Sequence, residues 1–425
     1  MIETASYSDF SRIIHEEVNA LRLPVNGTIE VTNRCPLTCA HCYNNLPMDD
    51  MGARNTELSL ADHKRVLDEL AEMGCLWICY SGGEIFARAD FLEIYRYAKE
   101  LGFLVTLFTN GTMITERVAD FLAALPPFVI EITLYGRTKA TYEALTGIPG
   151  SFERCLRGIE LLRERGLPLK LKTVAVTINK HEVLAMRRFA EELGVEFKFD
   201  PMINPRIDCS SSPLAVRLTP ADIVALDLED PIRVAEWRRL AINQAPPEVI
   251  PDGETQQLYD CGGGVNSFAI DPYGGMTICV LSHVDKYSLK SGTVREGWSS
   301  FLSTVRDKRI TRVTKCTTCA LKSLCGSCAA NGELENGDAE APVEYLCKVA
   351  HLRANVFEVP VRPHGECEYC VDGTHHDEIV TMAAEVHHRA PFVAAELPEL
   401  PAGSASACGS GSCGSCSVSA IQARV

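Results

Sequence analysis

Three cysteines crowd into one short segment, Cys35, Cys39 and Cys42, spaced C-x3-C-x2-C. Thiolates so placed can each hold one iron of a four-iron cubane, which leaves the fourth iron without a protein ligand and open to a small molecule. Zinc is the competing reading, but a closed zinc site wants four ligands, usually as two C-x2-C pairs, and only His41 stands nearby. Gly82-Gly83-Glu84 follows the next apolar run, where paired glycines let backbone approach a ligand closely. A second array runs Cys261, Gly274, Cys279, Cys316-x2-Cys319-x5-Cys325-x2-Cys328 and Cys347, which suits either iron–sulfur clusters or a pair of zinc sites. Cys367-x2-Cys370, with His364, His375 and His376 close by, reads as a zinc site or as an incidental pair in a surface loop. Cys75, Cys79 and Cys155 lie in apolar contexts and read as packing residues.

These groups need a scaffold. From Thr28 to about Asp200 short β-branched runs alternate with longer amphipathic ones, the pattern of repeated β-α units on a parallel sheet. Strands are expected near Thr28–Thr32, Leu76–Tyr80, Phe103–Phe108, Phe128–Leu134, Leu169–Thr177 and Val195–Phe199, with helices such as Ser59–Met73, Ser151–Arg165 and His181–Leu193 between them. Six units are too few to close a barrel of eight, so the expected fold is α/β, a partial (β/α)6 barrel with its chemistry at the C-terminal strand ends. Prolines then punctuate a linker with one helix near Ala221–Leu240, before cysteine spacing becomes the organising signal. A net charge of −15 argues against nucleic acid or an anionic membrane as partner. The first residues lack the basic and apolar regions of a signal peptide, and no apolar run is long enough to span a bilayer. Nineteen cysteines in that setting point to thiolates kept reduced for metal in the cytoplasm.

The segment Cys35-Pro-Leu-Thr-Cys39-Ala-His-Cys42-Tyr43, paired with Gly82-Gly83-Glu84 one β-α unit later, resembles the signature of radical S-adenosylmethionine (SAM) enzymes. The resemblance implies that Cys35, Cys39 and Cys42 hold a 4Fe-4S cluster whose open iron chelates SAM and cleaves it to a 5′-deoxyadenosyl radical. It also implies that Tyr43 lies near the adenine and that Gly82, Gly83 and Glu84 meet the methionine amino group. Thr109 and Asn110 would line the cofactor, and Thr133 and Arg154 would hold the ribose or carboxylate, although Arg154 reads equally as a solvated helix residue. The second array resembles a SPASM extension with two auxiliary 4Fe-4S clusters, for three in all. One would be held by Cys316, Cys319, Cys325 and Cys347, the other by Cys261, Cys279 and Cys328, a ligand short. That gap is open to a substrate thiolate or to Cys209. Two residues rather than the usual three separate Cys325 from Cys328.

The expected division is a helical extension at 1–27, a radical SAM partial barrel at 28–205, a linker at 206–255, a small iron–sulfur SPASM domain at 256–355 and a flexible cysteine-containing tail at 356–425. Thr133-Leu-Tyr135-Gly136, Leu145-Thr-Gly147 and Gly150-Ser-Phe152 look most like maturases of ribosomally made peptides. Val280 stands where sulfatase-oxidising relatives carry Asp, which counts against that activity. The resemblance therefore implies hydrogen abstraction from a peptide, giving a thioether, another crosslink or an epimer. An external electron donor such as flavodoxin or ferredoxin is implied too. The N-terminal extension is too short for a leader-binding winged helix, so leader recognition falls to a separate protein or to the tail. Cys408, Cys413 and Cys416 in the Gly/Ser-rich tail read as a flexible, redox-labile end or as a fused precursor core. Two rival functions stay open: a maturase of an enzyme or protein-derived cofactor, and a non-catalytic iron–sulfur or zinc electron relay.

Overall fold

Charged residues recur at every second position of several strands, and the computed structural model, which describes residues 19–242 and 256–389, shows what that alternation builds. Residues 19–217 and 263–306 form one compact unit, while residues 218–242, 256–262 and 307–389 form another. In the first, β1 (Asn26–Glu30), β2 (Trp77–Ser81), β3 (Leu104–Thr109), β4 (Val129–Thr133), β5 (Leu169–Val174) and β6 (Glu196–Asp200) pair in parallel, each beside its sequence neighbour. The partial barrel expected from the sequence is present, its six strands in the expected places. Helices Leu60–Glu72, Phe91–Glu100, Glu116–Ala124, Ser151–Glu164 and Val183–Leu193 supply the crossovers. The first of these starts in a capping box, Ser59 and Asp62 each accepting the other's backbone N–H.

The register gives this sheet two unlike faces. Ile29, Ile78, Tyr80, Val105, Leu107, Ile130, Ile132 and Leu171 share one face and are at most 1% exposed. Each such side chain contributes about 1.5–3 kcal/mol through burial. Thr28, Cys79, Thr106, Phe108, Glu131, Lys172 and Lys198 share the other. Parallel sheets ordinarily bury both faces under apolar side chains. Here one face is polar instead, and it is the face on which Glu131, Lys172 and Lys198 meet. Cys79, expected as a packing residue, is half-buried on that polar face, whereas Cys75 and Cys155 are in the core.

Three short strands extend the sheet beyond the sequence expectation. β7 (Ser267–Ile270) pairs parallel with the free edge of β1, and β8 (Gly275–Thr277) and β9 (Tyr287–Ser288) follow antiparallel. The order is β6-β5-β4-β3-β2-β1-β7-β8-β9.

The second unit is helical. The single linker helix expected near Ala221–Leu240 is two, Pro220–Glu229 and Pro231–Ile242. Pro231 forces the residue before it into extended backbone, and Asp230 (φ −111°, ψ 106°) then accepts the N–H of Ile232 to cap the next helix. Helix Glu344–Val356 packs Leu352 and Val356 against Val224 and Ala225 of the first linker helix. The stretch after Val356, expected as an irregular tail, includes helix His376–Arg389, whose Ala383 and Val386 complete that core. Ile379, Met382, Ala383 and Val386 make one apolar stripe along it. Residues 1–18, the prolines at 246, 247 and 251, and Cys408, Cys413 and Cys416 lie outside the described residues, and the expectations for them with them. Among the described residues no helix is long and apolar enough to cross a membrane.

Candidate functional site

The cysteine triplet sits in the loop that leaves β1, and backbone hydrogen bonds clamp that loop on every side. At its base Cys35 N–H donates to Leu46 O (2.9 Å) and Leu46 N–H to Asn33 O (2.7 Å). Above, Thr38 N–H donates to Thr146 O (2.9 Å) and Ala40 N–H to Leu145 O (3.1 Å). Gly147 caps the C-terminus of helix Lys139–Thr146 at φ 70°, and a Cβ there would stand 2.3 Å from Thr38 Oγ1. The Leu145-Thr146-Gly147 motif is thus a seat for the cysteine loop. On the far side Arg206 donates to Cys42 O (3.2 Å), Asn45 Oδ1 (2.8 Å) and Asn45 O (2.9 Å), a contact that no motif signals.

Gly82 and Gly83 form the back of the seat. Gly83 N–H donates to Thr32 O (2.7 Å) and Glu84 N–H to Arg34 O (3.0 Å). A Cβ on Gly83 would stand 2.4 Å from Asn33 O and 2.6 Å from Arg34 O, and Gly82 has φ 128°. The glycines therefore admit the backbone of the cysteine loop itself, a physical reason different from the ligand approach read from the sequence. Glu84 is 1% exposed and accepts from Thr109 Oγ1 (2.7 Å), the Asn110 N–H (2.8 Å) and the Phe86 N–H (3.2 Å). Burial outweighs these bonds and pushes its carboxyl up to about 7.

Asn110 also directs its amide nitrogen at Cys35 Sγ, 3.5 Å away. Cys35, Glu84, Thr109 and Asn110 are thus brought together. Tyr43 turns to the β1 side, its hydroxyl donating to Glu30 (2.7 Å), which Asn44 also contacts (2.7 Å). Burial lifts Glu30 to about 7. Thr133 ends β4 on the polar face, buried, in register with Lys172. Arg154 is exposed in the first turn of helix Ser151–Glu164.

Several functional candidates escaped the sequence reading. Glu131 lies 3.2 Å from Lys172 and 3.1 Å from Lys198, and Lys172 Nζ stands 2.9 Å from the Phe108 ring centroid. Burial holds Lys172 down at about 8. Charges at alternate positions of parallel strands were the available signal.

The donor set fits an iron–sulfur cluster. Burial pushes Cys35 up to about 12, and Cys39 and Cys42 upward as well, while Cys39 is further raised by repulsion from both other thiols. Three thiolates so crowded need a cation's charge to ionise, and a cluster supplies it. The loss of Arg206's contacts, each worth about 1.5–3 kcal/mol for a charged donor, should loosen the loop. Arg206→Ala is expected to retain less iron after anaerobic gel filtration than the unaltered protein, measured per folded chain.

In the second unit, electrostatic contact links Cys325 with Cys316 and Cys319, and Cys347 with Cys325. Cys261 and Cys328 belong to this unit and Cys279 to the first. Cys209 is exposed at φ 64°, its Sγ 3.4 Å from His283 Nε2. His375 is exposed beside Glu378 (3.4 Å), and His376 Nδ1 faces Tyr369 O (3.4 Å), so neither joins Cys367 and Cys370.

A parallel partial barrel whose first strand ends in a clamped three-cysteine loop, backed by a Gly-Gly-Glu turn, defines a radical SAM domain. Residues 29–190 match the Radical SAM superfamily. The chain is 28% identical to the PqqA peptide cyclase of Rhodopseudomonas palustris over 347 residues, covering 79% of this chain and 90% of that one. It is 34% identical to the AdoMet-dependent heme synthase of Methanosarcina barkeri over 165 residues, 39% of this chain and 46% of the synthase, so the match spans about half of that relative. Among solved structures, Streptococcus suis SuiB bound to precursor peptide SuiA shares the fold, with TM-score 0.58 and 17% identity over 80% of this chain and 79% of SuiB.

Proposed function

We propose that the protein is a radical SAM maturase that abstracts hydrogen from a peptide and leaves it crosslinked or epimerised. The observation that carries this reading is the polar face of the sheet, where Glu131, Lys172 and Lys198 stand in place of the apolar side chains that line most parallel sheets. Relatives named for peptide cyclisation, and a solved relative with its precursor peptide, support a peptide as the occupant. The heme synthase likeness spans 165 residues, about the length of the radical SAM domain alone, and so speaks to the cofactor rather than the substrate.

In this reading Cys35, Cys39 and Cys42 hold the cluster, which when loaded supplies the electron that cleaves SAM to a hydrogen-abstracting radical. Glu84 and Asn110 orient the cofactor end of the cavity. Glu131, Lys172 and Lys198 present charge to the peptide, and Lys172, held down at about 8, can give or take a proton near neutral pH. The barrel at 28–205 performs this step, and the region at 256–355 carries two auxiliary clusters on the cysteines named above, as relays from a flavodoxin-like or ferredoxin-like donor in the cytoplasm. Leader recognition belongs to a separate protein. Anaerobic incubation with candidate precursor peptides tests the proposal by mass spectrometry. A loss of two hydrogens identifies a crosslink, and unchanged mass with deuterium uptake identifies epimerisation. If every candidate peptide stays unaltered while SAM is cleaved, the peptide reading fails.

A further inference from the structure

We infer that the second unit contains a structural zinc site built from His351, His364, Cys367 and Cys370. The ligand atoms of the four residues all lie within 4.8 Å of one another. Their exposures are 1, 8, 6 and 2%, respectively. His351 Nε2 stands 3.5 Å from Cys367 Sγ and 3.7 Å from Cys370 Sγ, and His364 Nδ1 stands 3.3 Å from Cys370 Sγ. A tetrahedral zinc ion with Zn–S near 2.3 Å and Zn–N near 2.0–2.1 Å sets its sulfur and nitrogen ligands about 3.5 Å apart. The spacings here match the edges of that tetrahedron.

The surroundings prepare the donors. His351 Nδ1 is 2.9 Å from the Cys347 carbonyl, so its N–H is spent there and Nε2 keeps a lone pair facing both thiols. His364 Nδ1 is also 3.0 Å from Arg362 O, a bond that zinc would replace. Tyr369 and Ile379 wall the group, with the thiol of Cys347 against Cys367 and that of Cys319 against His364, and thiolates enclosed in this way require a cation. With four protein donors the site is closed, which makes it structural rather than catalytic. Sequence reading found His364 but offered His375 and His376 where the fourth donor is His351, which lies on helix Glu344–Val356, one turn after Cys347. That helix therefore holds a ligand of the proposed cluster and a ligand of the zinc four residues apart.

The full chain, purified without oxygen, is expected to carry about one zinc per molecule by elemental analysis, beside its iron and sulfide. The double variant Cys367→Ser/Cys370→Ser should lose the zinc and keep iron and sulfide in unchanged ratio. Should that variant not fold, zinc-edge X-ray absorption on the unaltered chain reads the ligands directly, with two sulfur and two nitrogen scatterers expected. No zinc in the unaltered chain, four sulfur scatterers, or folded double variant that loses iron in step with zinc would overturn the inference.

Discussion

Cys39→Ala protein is expected to make no 5′-deoxyadenosine above background when reduced anaerobically with SAM, while its circular dichroism stays that of the unaltered chain. Cys39 is one of three thiols close enough to repel one another as thiolates, and its own loop is fastened by backbone bonds that do not depend on the side chain. Its removal therefore takes away a cluster ligand without releasing the loop. The expected loss exceeds the roughly 10–100-fold that deletion of an outer contact to a metal site costs. Quantifying 5′-deoxyadenosine by liquid chromatography checks it, with Cys75→Ala as the control, since Cys75 is buried just before β2, its thiol on Val25 O, at the strand end opposite the cysteine loop. Substantial 5′-deoxyadenosine from the Cys39 variant would remove the assigned site.

Asp227→Ala should lower the stability of the helical unit by about 3–5 kcal/mol, the cost of stranding a buried cation. Asp227 is wholly buried and accepts from Arg233 Nε (2.7 Å) with one oxygen and from Arg353 Nε (2.9 Å) with the other. Arg353 donates further to Leu324 O (3.0 Å) and lies 3.9 Å over the Trp237 ring. Burial acts to raise the Asp227 carboxyl, but Arg353 and Arg233 outweigh it and leave it below its ordinary value. A depressed carboxylate stabilises the fold fully above the unfolded pKa of about 3.9 and loses that contribution as pH falls through the lower folded value. The Trp237 fluorescence transition in urea should accordingly shift to lower denaturant in Asp227→Ala at pH 7. An unshifted transition would show that the ion pair is replaceable by its neighbours.

The barrel was readable because its six strands, each five or six residues long, are apolar or alternate apolar with polar residues, and amphipathic helices separate them. β7, β8 and β9 have four, three and two residues, too short for alternation to register, and they exist because β1 offers an unpaired edge. The cysteine triplet and Gly82-Gly83-Glu84 were legible from spacing. What spacing could not convey was distance across the fold: Arg206 reaches the loop from more than a hundred and sixty residues away, |i−j| being 164 to Cys42. His351 was hidden for the same reason, being brought beside Cys367 only by the packing of its helix.

The interlock between the Gly82-Gly83 turn and the backbone of Thr32 to Arg34 bears on engineering. A cofactor-binding loop is often treated as a portable cassette, but this one is moulded against a second chain segment with no room for a methyl group. Transplanting the cysteines onto another scaffold would succeed only if the glycine turn travelled with them, at the same register between adjacent strands.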